Sequence, residues 1–368
     1  MRLLLLWTLP ATILAAQSTL DDAVSLTRQK KFQEARRVLQ GIAEPSETPQ
    51  RIIRHRVRAA IASGLGENAA AAAEMRSALA LRPGEPGLLL ATAAAELAAG
   101  QLDDALEHST VAGNSAPAQA LIGDIQEKRG EFVAAAKAFQ AAVALDPDRE
   151  EYRIALALEL IEHQTFRPAI TLLEQAGPLF PRSARIRTLL GIAHYALGDN
   201  EAATAALVSA IEADPKLQPP YAYLTRIVLE SSSGPSQPAA DALCLWNEIV
   251  CASVKLRVAR ESNDSALQAR ATKILERGPS TNPIARCELA RSYEWSERWV
   301  DARTQMEACV ALEPSPQNHY RLSLIYGQLG LPERARQEMQ LRERALTQLT
   351  EEGARRLNAT QGFQYLRE

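Results

Sequence analysis

Prolines recur at a fixed interval in the middle of the chain. Pro147, Pro181 and Pro215 are 34 residues apart, and Gly66 and Gly100 keep the same interval upstream. Three alanines repeat in the same phase: Ala135, Ala169 and Ala203. Self-similarity with a period of a few tens of residues is typical of chains that fold as a row of stacked units. In a chain of 368 residues, this period therefore argues against a single central core.

The sequence of residues 190–215, LGIAHYALGDNEAATAALVSAIEADP, predicts what one unit contains. Alanine and leucine favour helix, yet Gly191 interrupts the run and costs about 1 kcal/mol relative to alanine. We therefore expect Gly191 to lie where a second helix crosses closely, opposite Ala203. Gly198 has the character of a helix end, where a left-handed residue is needed, and Asp199 can cap the next helix. The unit is predicted to be a helical hairpin.

With this spacing the chain resembles the tetratricopeptide repeat (TPR) family, whose unit is a helix–turn–helix of about 34 residues. The family positions of one unit fall on Leu190, Gly191, His194, Gly198, Ala203, Leu207, Ala210 and Pro215. The resemblance covers roughly residues 18–349 and is strongest between 116 and 217. It implies an all-α fold, a right-handed α-solenoid (superhelix) of tandem hairpins.

The phase of the repeat divides the chain into segments. A Ser/Pro-rich loop at 231–238 interrupts it, and we expect one long helix from 239 onward, followed by a degenerate repeat. A cap helix beginning at 341 is predicted to close the stack. The predicted segments are a signal peptide at 1–16, a solenoid of about six to seven units at 18–230, an irregular insertion at 231–282, further TPR units at 283–349, and a cap helix with a frayed tail at 341–368.

The first residues have the layout of a secretory signal peptide. Arg2 precedes a leucine-rich run at 3–14, and Ala15 and Ala16 follow as small residues. An uncleaved anchor helix is the alternative. We expect an exported protein, periplasmic or secreted in a bacterial envelope, and no other segment is apolar and long enough to cross a bilayer.

Export would permit disulfides among the four cysteines. Cys287 and Cys309 lie on the two helices of one predicted hairpin, so they could form a disulfide or remain as two buried thiols. Cys244 and Cys251 are seven residues apart. On one continuous helix their separation would be about 10 Å, which is too far for a bond.

Composition and motifs exclude several function classes. The net charge is -3 and there is no polybasic run, so nucleic acid and anionic membranes are disfavoured as partners. We find no residue pattern for a nucleophile, a metal site or a phosphate-binding loop. The expectation is a non-enzymatic chain with no catalytic residues, no metal and no cofactor.

In the TPR family the first helices of the hairpins line a concave groove, and the resemblance implies a protein or peptide partner there. Arginines and aromatic residues often anchor interfaces. Such residues occupy outward positions of the predicted first helices: Arg185, Tyr195, Arg226, Arg291, Trp295 and Tyr320. We expect a scaffold that holds an extended peptide or an acidic tail. The alternatives are that these side chains are merely solvated, or that the chain is a regulatory or assembly subunit of a bacterial envelope enzyme or export complex for polysaccharide or outer-membrane biogenesis.

Overall fold

The computed structural model describes residues 19–231 and 235–359. These residues form twenty helices and no strand, so the predicted all-α class is confirmed. The chain divides into two units, the first ending at Asp146 and the second beginning at Pro147. The predicted signal peptide at 1–16 and the end of the predicted tail lie outside the described residues.

Unit 1 contains four helical hairpins. Consecutive helices pack against each other in pairs, α1 with α2 through α7 with α8. The bounds are α1 Leu20–Arg28, α2 Phe32–Gln40, α3 Thr48–Gly64, α4 Asn68–Leu81, α5 Pro86–Ala98, α6 Leu102–Val111, α7 Ala116–Arg129 and α8 Phe132–Leu145.

Unit 2 continues the same pattern with twelve helices. Its pairs run from α9 with α10 to α19 with α20. The bounds are α9 Glu150–Glu162, α10 Phe166–Ala176, α11 Ala184–Ala196, α12 Asn200–Ala213, α13 Pro219–Glu230, α14 Gln237–Trp246, α15 Glu248–Ser262, α16 Ser265–Glu276, α17 Pro283–Trp295, α18 Trp299–Leu312, α19 Pro316–Gln328 and α20 Pro332–Ala359.

Glycine is required where the two helices of a hairpin cross. A Cβ atom on Gly191 would lie 2.6 Å from Cγ of Leu207 and 3.2 Å from the carbonyl oxygen of Ala203. In α7, a Cβ atom on Gly123 would lie 2.5 Å from the ring of Phe139. The predicted close crossing at Gly191 is therefore confirmed, and it explains why a glycine stands inside a helix.

In every hairpin whose turn is fully described, the turn contains one residue in the left-handed region. Gly198 occupies it after α11 with φ of 79°, and Asp199 then caps α12 by accepting from the Ala202 amide at 3.1 Å. Four hairpins place a residue with a side chain at this position, and Glu297 is one of them with φ of 57°. The others are Lys30, Gln164 and Asn263.

We expect Glu297→Gly to raise the free energy of unfolding by about 0.5–1 kcal/mol, because only glycine adopts this φ without a steric cost. Urea denaturation followed by circular dichroism measures it. The matched control is Ser296→Gly, one residue earlier, where φ is -89°. That change should destabilise the protein by at least as much, since it adds freedom to the unfolded chain and removes the hydrogen bond that the Ser296 hydroxyl accepts from Nε2 of Gln268 at 2.9 Å. Equal shifts of the same sign in both variants would contradict the argument.

The prediction of one long helix from residue 239 is wrong, because the helix breaks at Asn247. This residue is extended (φ -150°, ψ 128°), so α14 ends at Trp246 and α15 begins at Glu248. The Asn247 side chain caps α15, accepting from the Ile249 amide at 2.9 Å and the Val250 amide at 3.1 Å. A single residue thus connects two hairpins.

The break also corrects the prediction that Cys244 and Cys251 are too far apart to bond. That estimate assumed a continuous helix. With α14 and α15 folded back on each other, the two Cα atoms are 4.2 Å apart and the sulfur atoms form a disulfide.

The prediction that a cap helix begins at residue 341 is wrong, because no helix begins there. Helix α20 runs from Pro332 to Ala359 as one helix of 28 residues. The second helix of the last hairpin therefore continues directly into the charged segment, since no glycine or proline stands between 333 and 350 to end it.

Candidate functional site

The first helices of the hairpins in unit 2 lie side by side. Helix α11 contacts α13, α13 contacts α15, and α15 contacts α17. We call α11, α13, α15, α17 and α19 the first-helix layer. The layer contains nine arginines and lysines against five glutamates, a net charge of +4. The second helices α12, α14, α16 and α18 contain three basic against six acidic residues, a net charge of -3. Helix α9, the first helix of the first hairpin in unit 2, contains one basic and four acidic residues, so positive charge is concentrated only in the first helices from α11 onward.

An aromatic pair with a cation spans α11 and α13. The rings of Tyr195 and Tyr223 meet edge to face with centroids 6.0 Å apart. The guanidinium carbon of Arg226 lies 5.8 Å from the Tyr195 ring centroid, within the range of a cation–π contact. Arg226 is exposed and both tyrosines are half-buried. The structure therefore brings two of the predicted groove residues, Tyr195 and Arg226, into contact.

A buried carboxylate organises the next part of the layer. Glu288 is only 2% exposed and accepts a hydrogen bond from Arg291, while Nη2 of Arg257 lies 3.6 Å from the same carboxylate oxygen. Arg257 also donates to the backbone carbonyls of Leu229 and, at 2.7 Å, of Ser231. Burial lowers the pKa of Arg257, and the adjacent carboxylate of Glu288 opposes that effect. The cluster joins α15 and α17 to the C-terminal end of α13.

A second carboxylate joins α17 to α19. Nη1 of Arg321 donates to Oε2 of Glu294 at 2.8 Å. The other oxygen, Oε1, is buried and accepts no hydrogen bond from the described residues. Burial raises the pKa of Glu294, and the charge of Arg321 opposes the rise. The arginines of these two clusters, Arg257, Arg291 and Arg321, therefore lie in the same first-helix layer as Arg226.

The remaining predicted groove residues differ in their surroundings. Arg185 is exposed, and no side chain in the described ranges pairs with it. Tyr320 is 45% exposed and lies 5.2 Å from the guanidinium of Arg342. Arg291 is engaged by Glu288 and is not available as a free cation.

Trp295, which the repeat places at an outward position of its helix, is not exposed as an outward residue would be. Its side chain is half-buried and packs against an apolar cluster that contains Leu289 and Leu322. Trp295 is therefore needed for packing between hairpins, and a variant at this position would test folding as well as binding.

Sequence reasoning missed three residues of these clusters, Arg257, Glu288 and Arg321. A signal for Arg257 was present, because it lies 34 residues before Arg291 and so occupies the same position of the repeat. Nothing comparable marked Glu288, since a glutamate on a helix is ordinarily exposed.

All four cysteines are joined in disulfides. Cys287 in α17 is bonded to Cys309 in α18 with an S–S distance of 2.07 Å and a Cα–Cα distance of 4.9 Å. Of the two alternatives left open by the sequence, the structure has the disulfide. The second bond joins Cys244 to Cys251.

The family of this chain follows from its repeats. Residues 154–217 match the tetratricopeptide repeat family, and this segment contains most of α9 and all of α10, α11 and α12. The same hairpin recurs on both sides of it. The chain is a tetratricopeptide repeat protein. No curated protein matches this TPR protein.

Solved structures similar to this TPR protein share little of its sequence. The structure of the MamA protein is 21% identical, covering 46% of this chain and 94% of that one, with a TM-score of 0.39. The C-terminal part of a TPR repeat-containing protein from Cytophaga hutchinsonii is 17% identical over 70% of this chain and 94% of its own, with a TM-score of 0.47. YrrB, described as a TPR protein with an unusual peptide-binding site, is 15% identical over 56% of this chain and 98% of its own, with a TM-score of 0.39.

Two further observations concern what the described part of this TPR protein contains. Residues 19–231 and 235–359 include no group of three or more histidine, cysteine, aspartate or glutamate side chains that could hold a metal ion. Among the helices formed by those ranges, none combines the length and apolar character needed to cross a membrane.

Proposed function

We propose that this TPR protein is an exported, non-enzymatic scaffold that holds an acidic peptide segment of a partner protein along the first-helix layer of unit 2. The observation that carries the proposal is the segregation of charge, +4 in the first-helix layer from α11 to α19 against -3 in the four helices α12, α14, α16 and α18 that alternate with it along the chain. A partner with carboxylates is attracted to the first layer and repelled by the second.

Exposed groups of the layer supply the contacts that such a segment needs. Arg226 and Arg260 occupy equivalent repeat positions, 34 residues apart, on α13 and α15, and both are exposed. Guanidinium groups bind carboxylates with two parallel hydrogen bonds. The half-buried rings of Tyr195 and Tyr223 add apolar area beside Arg226.

Export is supported by two separate features. The N-terminal sequence has the charge and leucine pattern of a secretory signal. The two disulfides fit an oxidising compartment, because cytosolic reductants keep most protein thiols reduced. A bacterial envelope is the setting that we propose.

The test replaces Arg226 and Arg260 together by glutamate and measures binding of a labelled peptide rich in aspartate and glutamate by fluorescence anisotropy. We expect the dissociation constant to rise at least about tenfold, because two attractive contacts become repulsive. Affinity of the unaltered protein should fall with added salt.

A matched control applies the same charge change to the second layer. Arg270 and Lys273 are exposed on α16, and replacing both by glutamate leaves the first-helix layer intact. Circular dichroism verifies that both double variants remain helical. Equal loss of affinity in the two variants, or no binding by the unaltered protein, would refute the proposed surface.

A further inference from the structure

The two disulfides differ in their access to solvent. Cys287 and Cys309 are 7% and 0% exposed and lie in the core between α17 and α18. Cys244 is half-buried at the end of α14, and the next residue, Leu245, is 90% exposed. A thiol in solution can therefore approach Cys244, whereas the other disulfide is enclosed by side chains.

The ends of α14 and α15 distinguish the two sulfur atoms of the accessible bond. Cys244 lies in the last turn of α14, and Cys251 lies in the first turn of α15 and is 8% exposed. The N-terminal turn of a helix stabilises a thiolate, while the C-terminal turn does not. Since exchange is faster when the departing thiolate is stabilised, the geometry favours attack at Cys244 and departure of Cys251.

We propose that the Cys244–Cys251 disulfide is a thiol–disulfide exchange site at which an external dithiol is oxidised. A thiolate of the dithiol attacks Sγ of Cys244, the S–S bond breaks, and the electron pair leaves on Sγ of Cys251, which then takes up a proton. The second thiol of the dithiol attacks the mixed disulfide and releases Cys244. The protein gains two thiols and the dithiol becomes a disulfide, so electrons and protons balance.

Reduction at this site leaves the hairpins folded. The joint between α14 and α15 is held independently of the bond, because Asn247 caps α15 and the Trp246 ring stacks on Tyr221 with centroids 4.9 Å apart. Leu243 and Val250 on either side of the joint are also buried in one apolar cluster. The reduced state is thus a folded protein whose thiols can be measured directly.

The experiment incubates the native, oxidised protein with increasing dithiothreitol, alkylates the free thiols and assigns them by mass spectrometry. A glutamate-specific protease separates Cys244 from Cys251 by cutting after Glu248. We expect both of these thiols to appear at a dithiothreitol concentration at least about tenfold lower than those of Cys287 and Cys309. With glutathione, which has one thiol, the adduct should be found on Cys244.

Two outcomes would overturn the proposal. One is reduction of both disulfides over the same range of dithiothreitol, and the other is a glutathione adduct found mainly on Cys251. The variant carrying Cys287→Ser and Cys309→Ser should keep the easily reduced pair. The variant carrying Cys244→Ser and Cys251→Ser should lose all alkylation at low dithiothreitol, and persistence of that signal would also contradict the assignment.

Discussion

Glu288→Gln lowers the free energy of unfolding by about 3 kcal/mol, the largest effect that we expect from a single isosteric change in this protein. The carboxylate of Glu288 is nearly inaccessible and faces Arg257 and Arg291. Removing its charge leaves two partly buried guanidinium groups close together with no counter-charge, and each has already lost part of its hydration. Urea denaturation followed by circular dichroism measures the change.

The control and a second readout separate charge from packing. Glu212 is an exposed glutamate on α12, and Glu212→Gln should change stability by less than about 0.5 kcal/mol. If uncompensated cations cause the loss, phosphate should stabilise Glu288→Gln more than it stabilises the unaltered protein, because the anion can reach the partly exposed side chains of Arg257 and Arg291 and reduce their repulsion. Equal stabilisation of both by phosphate would show that the loss is not electrostatic.

Gly191→Ala is expected to lower the free energy of unfolding by about 2 kcal/mol, although alanine is the better helix former. The added Cβ would lie 2.6 Å from Cγ of Leu207, which is fully buried and cannot move away without displacing its neighbours. Thermal and urea denaturation give the measurement. The matched control is Gly327→Ala in α19, where a Cβ would meet nothing within 4 Å, and a gain of about 0.5–1 kcal/mol is expected there.

A double-mutant cycle tests whether Leu207 is the cause. Leu207→Ala alone should destabilise by about 2–5 kcal/mol, because it leaves a cavity. The variant carrying Gly191→Ala and Leu207→Ala should be more stable than the sum of the two single losses predicts, since the new methyl group then fills part of the cavity. Strict additivity would mean that the strain at Gly191 arises elsewhere.

The 34-residue period predicted the hairpins because a stacked repeat imposes the same packing problem at every unit. The sequence predicted a close crossing of two helices at Gly191, and the structure shows that crossing. The left-handed turn at Gly198 follows from local backbone sterics. The break at Asn247 was not predicted, since WNEIV contains neither glycine nor proline. Asn247 followed by Glu248 is a sequence signal for the start of a helix. That signal alone did not show that the preceding helix ends there, because the break also depends on the packing of α14 against α15.

The candidate site was predictable only in part. Arginines and aromatics at outward positions can be listed from the period, and Tyr195 and Arg226 do lie together. Which arginines are engaged by carboxylates depends on the packing of neighbouring helices, as the position of Glu288 between Arg257 and Arg291 shows. The burial of Trp295 likewise depends on residues of adjoining hairpins.

The fit of Gly191 to Leu207 and of Gly123 to Phe139 has a consequence for how such a chain can grow. In both cases the small residue and the large one that fills its space belong to the same hairpin. Duplication or transplantation of a whole hairpin therefore copies both members of the pair together. A crossover within the turn would combine mismatched halves and leave either a steric overlap or a void, so viable recombination is confined to the borders between hairpins.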